Sequence, residues 1–217
     1  GSKKVIKNIQ NAQQEAEEIG FPILIKASAG GGGRGMKVVK KKIDLENAFF
    51  AAKNEARVAF GNDDVYIEKY LANPRHIEVQ ILGDKFGNVV HLGERECSIQ
   101  RNHQKLIEEA PSPILSKDER NYIGKLAADA AKIMKYENLG TLEFLYEEGK
   151  FYFIEMNTRL QVEHPITEAI TGLDIVREQI SLSAGNKLSF NQNQVNFFGH
   201  AIECRINAEN PQTFLPS

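Results

Sequence analysis

Two stretches carry residue types at spacings that could do chemistry, and the first is a pair of glutamates. Residues 141–146 and 151–157 read as two strands joined across Glu147-Glu148-Gly149-Lys150. A three-residue loop, 148–150, pairs 147 with 151 and therefore 143 with 155. Side chains alternate along a strand, so Glu143 and Glu155 project from one face, which Asn157 and Arg159 extend. Leu142, Phe144, Tyr152, Ile154 and Met156 supply the apolar face. Facing carboxylates destabilise a sheet unless a cation lies between them. With the Asn157 amide they form a hard oxygen set suited to Mg²⁺ or Mn²⁺, ions that also take phosphate oxygens. A shift of one residue in the loop would undo the pairing and leave a solvated charged face.

The second stretch is Ala29-Gly30-Gly31-Gly32-Gly33-Arg34-Gly35, with Lys26 before it. It lacks the Gly-Lys-Ser/Thr ending of a Walker A loop, and it runs into a strand rather than a helix. A glycine loop between strands, flanked by cations, suits a lid whose N–H groups cradle nucleotide phosphates. A flexible hairpin connection is the competing reading. Glu94 to Lys105 is dense in hydrogen-bonding groups, fit either for holding an anion or for an exposed loop. Gln161-Val162-Glu163-His164-Pro165 places a carboxylate just past the metal strand, where a base could work. The five histidines show no ligand spacing.

The elements that position these residues follow from periodicity. Val5, Ile9, Ala12, Ala16 and Ile19 keep a helical period that stops at Gly20 and Pro22. Strands are expected over 21–26, 36–39, 65–68, 76–82 and 89–93, and a helix along Leu45, Phe49, Ala52, Ala56 and Ala59. Ser116 with Glu119 is a capping box that opens a helix with apolar face Ile123, Leu126, Ala127, Ala130 and Ile133. A helix over 174–184 and a strand over 201–208 complete an α+β pattern of mostly antiparallel sheet.

Composition narrows the class. The 217 residues hold 27 basic and 29 acidic side chains, a net charge of −2, which gives no global reason to bind nucleic acid. No apolar run approaches the roughly 20 residues of a membrane span. Two cysteines make no disulfide framework and fit a reducing, cytoplasmic compartment; a mitochondrial matrix origin stays open. Gly1-Ser2 reads as a cloning remnant, and the ends read as those of a fragment.

Taken together, Lys26-Ala27-Ser28 with the glycine loop, Glu68-Lys69-Tyr70-Leu71, Arg101-Asn102-His103-Gln104-Lys105 and the string from Glu155 to His164 resemble biotin carboxylase. That is the ATP-grasp component of acetyl-CoA, propionyl-CoA and pyruvate carboxylases. The resemblance covers essentially the whole chain, as a central fragment. It implies an ATP-grasp fold with nucleotide held between two lobes: a small lobe over 3–70 with the lid, and a large lobe over 71–217, truncated at its C-terminus. It also implies ATP-dependent carboxylation of carrier-bound biotin with bicarbonate, two divalent metal ions, a carboxyltransferase partner and a homodimeric whole protein.

The roles the resemblance implies are as follows. Lys26 and the loop Gly30, Gly31, Gly32, Gly33, Arg34 and Gly35 meet ATP phosphates. Glu68, Lys69 and Leu71 hold adenine, the last two through backbone, and His76, Gln100 and His103 lie around the nucleotide. Glu143, Glu155 and Asn157 hold metal. Lys105, Arg159, Gln161 and Val162 bind bicarbonate, Glu163 deprotonates it, and Arg205 stabilises the biotin enolate. The fragment alone is expected to be weak or inactive. Another ATP-grasp ligase, such as the carbamoyl phosphate synthetase large subunit, and a nucleotide-binding module without turnover are the alternatives.

Overall fold

The computed structural model describes residues 1–2, 4–29, 35–102 and 104–214. The chain divides into two compact units, Gly1–Asn73 and Pro74–Ser217.

The first unit builds an antiparallel sheet of β1 (Ile23–Ala27), β2 (Met36–Val39) and β3 (Val65–Lys69), in the order β2-β1-β3, with helices α1 (Ile9–Ile19) and α2 (Leu45–Phe60). Alternation decides its core. Ile23 and Ile25 of β1 join Val39, Val65 and Ile67 under Ala12, Ala16, Phe49 and Ala52, all buried. Leu24 and Lys26 therefore stand on the other face, beside Glu68 and Tyr66 of β3. The helical period from Val5 overreaches. Asn8 caps the helix, accepting from the Asn11 N–H at 2.9 Å, and Ile6 bridges to Val65 instead.

The second unit is a six-stranded antiparallel sheet. Its strands are β4 (Arg75–Gly83), β5 (Val89–Arg101), β6 (Gln104–Ala110), β7 (Asn138–Glu147), β8 (Lys150–Asn157) and β9 (Ala201–Cys204), in the order β8-β7-β4-β5-β6-β9. Helix α3 (Lys117–Ile133) covers the face carrying Ile77, Val79 and Ile81. Its capping box forms as expected, but Leu126 and Ile133 are exposed, and Ile123, Ala127 and Ala131 make its buried stripe. The opposite face of β4 carries Glu78 and Gln80. On that side lie α4 (His164–Thr171) and α5 (Ile175–Ser183), with Ile175 and Leu182 packed on Leu82, Val90 and Leu92.

Four further elements differ from expectation. Strand β5 continues through Glu94–Arg101 rather than stopping at Gly93, β6 and α4 lie outside the expected elements, and β9 ends four residues early. In the β7–β8 hairpin, Glu147 pairs with Lys150 across a two-residue turn in which Glu148 and Gly149 have φ of 50° and 76°, the left-handed pair that tight hairpins favour. The expected three-residue loop is wrong. An irregularity between Glu143 and Phe144 then shifts the register by one and restores the pairs Glu143↔Glu155 and Leu142↔Met156. Below that shift Phe151, not Tyr152, turns to the core, where it packs on Tyr146 and Phe144, and Ile154 is exposed.

Candidate active site

Strand pairing lines up Glu155, Glu143, Glu78 and Arg95 across four adjacent strands, β8, β7, β4 and β5. Three carboxylates in one row would repel each other. Two cations resolve this. Arg95 is fully buried and its Nε donates to Glu78 Oε1 at 2.5 Å. Its Nη1 reaches Gln80 and Thr167 at 2.8 and 2.9 Å, and its Nη2 reaches Gln161 Oε1 at 3.1 Å. Lys105, from β6, donates to Glu78 Oε2, to Glu143 Oε1 at 2.9 Å and to Glu163 Oε1 at 2.7 Å.

These contacts set the charges. Burial alone would push the Glu143 carboxyl up, but the His76 hydrogen bond and the Lys105 ammonium outweigh it and hold the group at about 2. Burial opposes the Lys105 charge, yet the carboxylates around it keep its pKa above the ordinary lysine range. Glu78, fully buried, is likewise held ionised against burial by Arg95 and Lys105.

Around this row lies a cleft of about 610 Å³. His76, Gln100, Lys105, Glu143, Glu155, Asn157, Arg159, Gln161, Val162, Glu163 and Arg205 line it. His76 Nε2 sits 3.0 Å from Glu143 Oε2, and Gln100 contacts His76 Nδ1 at 3.2 Å. The Asn157 amide touches Glu143 Oε1 at 3.0 Å and Glu155 Oε1 at 3.3 Å. Gln161 donates to Glu143 Oε1 at 2.8 Å. Glu163, buried just before α4, is held by Lys105 on one oxygen and by Arg205 Nη2 at 2.7 Å on the other. Arg159 is exposed, with Nη1 on the Leu160 carbonyl at 3.2 Å and no carboxylate partner among the described residues.

In the first unit, Lys26 Nζ pairs with Glu68 Oε2 at 2.6 Å. Lys69 turns its ammonium back onto the Gly20 carbonyl at 2.9 Å, and Leu71 is buried. Gly35 has φ of 71° and accepts from the Ala27 N–H at 3.1 Å, closing the base of the loop. Gly30, Gly31, Gly32, Gly33, Arg34 and His103 lie outside the described residues.

Sequence reasoning missed Glu78, Arg95 and Glu108, as well as Gln104, Asn207 and Glu209 at the rim of the cleft. Glu78 had a signal: it is the one ionised residue among the apolar positions of 77–82. Arg95 was hidden inside a polar run that resembled a loop.

The family described as the carbamoyl-phosphate synthase L chain, ATP binding domain, matches residues 1–191. Among curated relatives, the biotin carboxylase of Allochromatium vinosum is 57% identical over 210 residues, 97% of this chain and 47% of the relative. The biotin carboxylase of Haemophilus influenzae is 56% identical over 213 residues, 98% of this chain and 48% of its own. A crystal structure of the biotin carboxylase domain dimer of Hydrogenobacter thermophilus 2-oxoglutarate carboxylase, in complex with MgADP, ADP and bicarbonate, is 54% identical. It superposes with a TM-score of 0.88 over all of this chain and 48% of that one. This chain thus spans about half the length of the proteins it matches. With the match covering most of its residues, the chain belongs to the carbamoyl-phosphate synthase L chain ATP-binding domain family, on the ATP-grasp fold, as a homologue of biotin carboxylases.

Proposed function

We propose that the protein containing this chain carboxylates biotin, borne on a carrier protein or domain, using ATP and bicarbonate. The observation that carries the reading is Glu163, a buried carboxylate between Lys105 and Arg205, beside an Arg159 that no carboxylate among the described residues neutralises. Such a site holds a small anion and takes its proton. In the reaction, Arg159, Lys105, Gln161 and the Val162 backbone bind bicarbonate, and Glu163 takes its hydroxyl proton. The carbonate oxygen then attacks the γ-phosphorus of ATP and ADP leaves. Carboxyphosphate breaks to carbon dioxide and phosphate, the phosphate takes the ureido N–H proton of biotin, and the nitrogen attacks carbon dioxide. Arg205 meets the negative charge that develops on the ureido oxygen.

Glu143, Glu155 and Asn157 fit a divalent ion. Glu143 is ionised, Glu155 is exposed to the cleft, and one amide already contacts both. Two Mg²⁺ or Mn²⁺ ions bound there would neutralise phosphate oxygens. Lys26 and Gly35 belong to the phosphate lid, with Gly30, Gly31, Gly32, Gly33 and Arg34, while Glu68, Lys69 and Leu71 form the adenine hinge. His76, Gln100 and His103 complete the nucleotide's surroundings. The whole protein would act as a homodimer with a carboxyltransferase, and the two unpaired thiols suit a cytoplasmic setting.

The test is transfer of labelled bicarbonate to free biotin by the full-length protein. ATP-dependent label in carboxybiotin supports the reading. Label appearing only with ammonia, as carbamoyl phosphate, would favour the other activity suggested by the family's description.

A further inference from the structure

We propose that Glu108 and Glu203 share a single proton, and that this pair positions the Arg205 guanidinium at the wall of the cleft. The link to turnover rests on the biotin carboxylase reading; the proton itself does not.

Glu108, on β6, and Glu203, on β9, are register partners, which puts their Cβ atoms about 5 Å apart. Glu108 is fully buried. Its Oε1 accepts from Arg205 Nε at 2.6 Å, but its Oε2 and the Oε2 of Glu203 are both buried with no donor among the described residues. Two facing carboxylates, each with an orphaned oxygen, lack one hydrogen. A proton held between them satisfies both atoms and removes one of two like charges. The remaining charged groups make the case stronger. Glu163 and Glu78 add negative potential at Glu108, and Glu163 does so at Glu203; Arg205 opposes at both, and His164 opposes at Glu203. Burial, followed by these acidic neighbours, moves both carboxyls upward despite Arg205.

The consequence lies with Arg205. It bridges Glu108 through Nε and Glu163 through Nη2, and it lines the cleft with its side chain 25% exposed. Fully ionised, three carboxylates would surround one guanidinium and cancel its attraction for an anionic group in the cleft. With the proton held, the guanidinium is fixed in direction but keeps part of its charge for that group. Loss of the proton in alkali weakens this, so Glu108 and Glu203 are positioning residues acting through Arg205.

Difference infrared spectroscopy on the full-length protein near pH 7 tests the proton directly, comparing wild type with the isosteric variants Glu108→Gln and Glu203→Gln. The expected result is the carbonyl stretch of a single protonated carboxyl per chain, absent from both variants. Should Glu108→Gln fail to fold by circular dichroism, Glu203→Gln, whose residue is only part-buried, carries the comparison. In biotin-dependent ATP cleavage, Glu203→Gln should move the alkaline limb of the pH profile up by about one unit or more, with the KM for ATP unchanged. No protonated carboxyl near pH 7 overturns the proposal whatever the activity, and an unmoved alkaline limb overturns the link to Arg205. A band present in a protein that never carboxylates biotin would uphold the shared proton while sinking the functional reading.

Discussion

Glu143→Gln keeps the shape of the side chain and removes its charge, so its effect should depend on pH in a way the structure fixes. The folded carboxyl sits at about 2 against an ordinary 4.5. At about 1.4 kcal/mol per unit, the ionised form contributes about 3 kcal/mol of stability. The folded value is depressed, so this contribution is fully present above about pH 4.5 and is lost as pH falls toward 2. Urea denaturation followed by circular dichroism, with chelator present, should show the variant weaker than wild type by about 2–3 kcal/mol at pH 7. The gap should narrow steadily from pH 4.5 to 2.5. Lys105 keeps two carboxylates, Glu78 and Glu163, in the variant. A variant as stable as wild type at pH 7, or a deficit unchanged down to pH 2.5, would refute the claim that Lys105 and His76 hold Glu143 ionised.

Arg95→Met strips Glu78 of its buried partner and should cost about 3–5 kcal/mol in the same assay. Lys26→Met breaks a half-exposed pair with Glu68, so stability should change by less than about 1 kcal/mol, while calorimetry should show MgATP affinity falling at least about tenfold. Burial lowers the pKa of His91, so the stability it contributes is present above 6.5 and lost as pH falls further; His91→Leu should flatten the pH dependence between 7 and 5. A Cβ at Gly124 would lie 2.5 Å from the His91 ring, so Gly124→Ala should destabilise by about 1–3 kcal/mol, read from urea midpoints.

The parts of the fold that the sequence made legible are those that bury apolar stripes. Helix α2, β1 and the capped start of α3 all follow from periodicity and end signals. The row of charged residues did not, because β5 buries Glu94, Arg95 and Glu96 where a core strand ordinarily buries aliphatics. Such a strand betrays itself only through its partners on β4, β6, α3 and α4, which lie far away in sequence. The β7–β8 hairpin is the instructive case. Its turn is one residue shorter than the spacing predicts, and the irregularity beside Phe144 offsets the difference, so Glu143 and Glu155 face each other for a reason the spacing does not contain. Helix α4 was obscured by Pro165, which stands in its first turn, where a missing N–H costs nothing.

The most direct test of the central claim is whether ATP cleavage by the full-length protein requires bicarbonate, measured for wild type and Glu163→Gln. Cleavage should be absent without bicarbonate and should fall about a hundredfold or more in the variant, with MgATP binding retained. Cleavage that ignores bicarbonate, or a variant as active as wild type, would contradict the assignment of Glu163 as the base between Lys105 and Arg205.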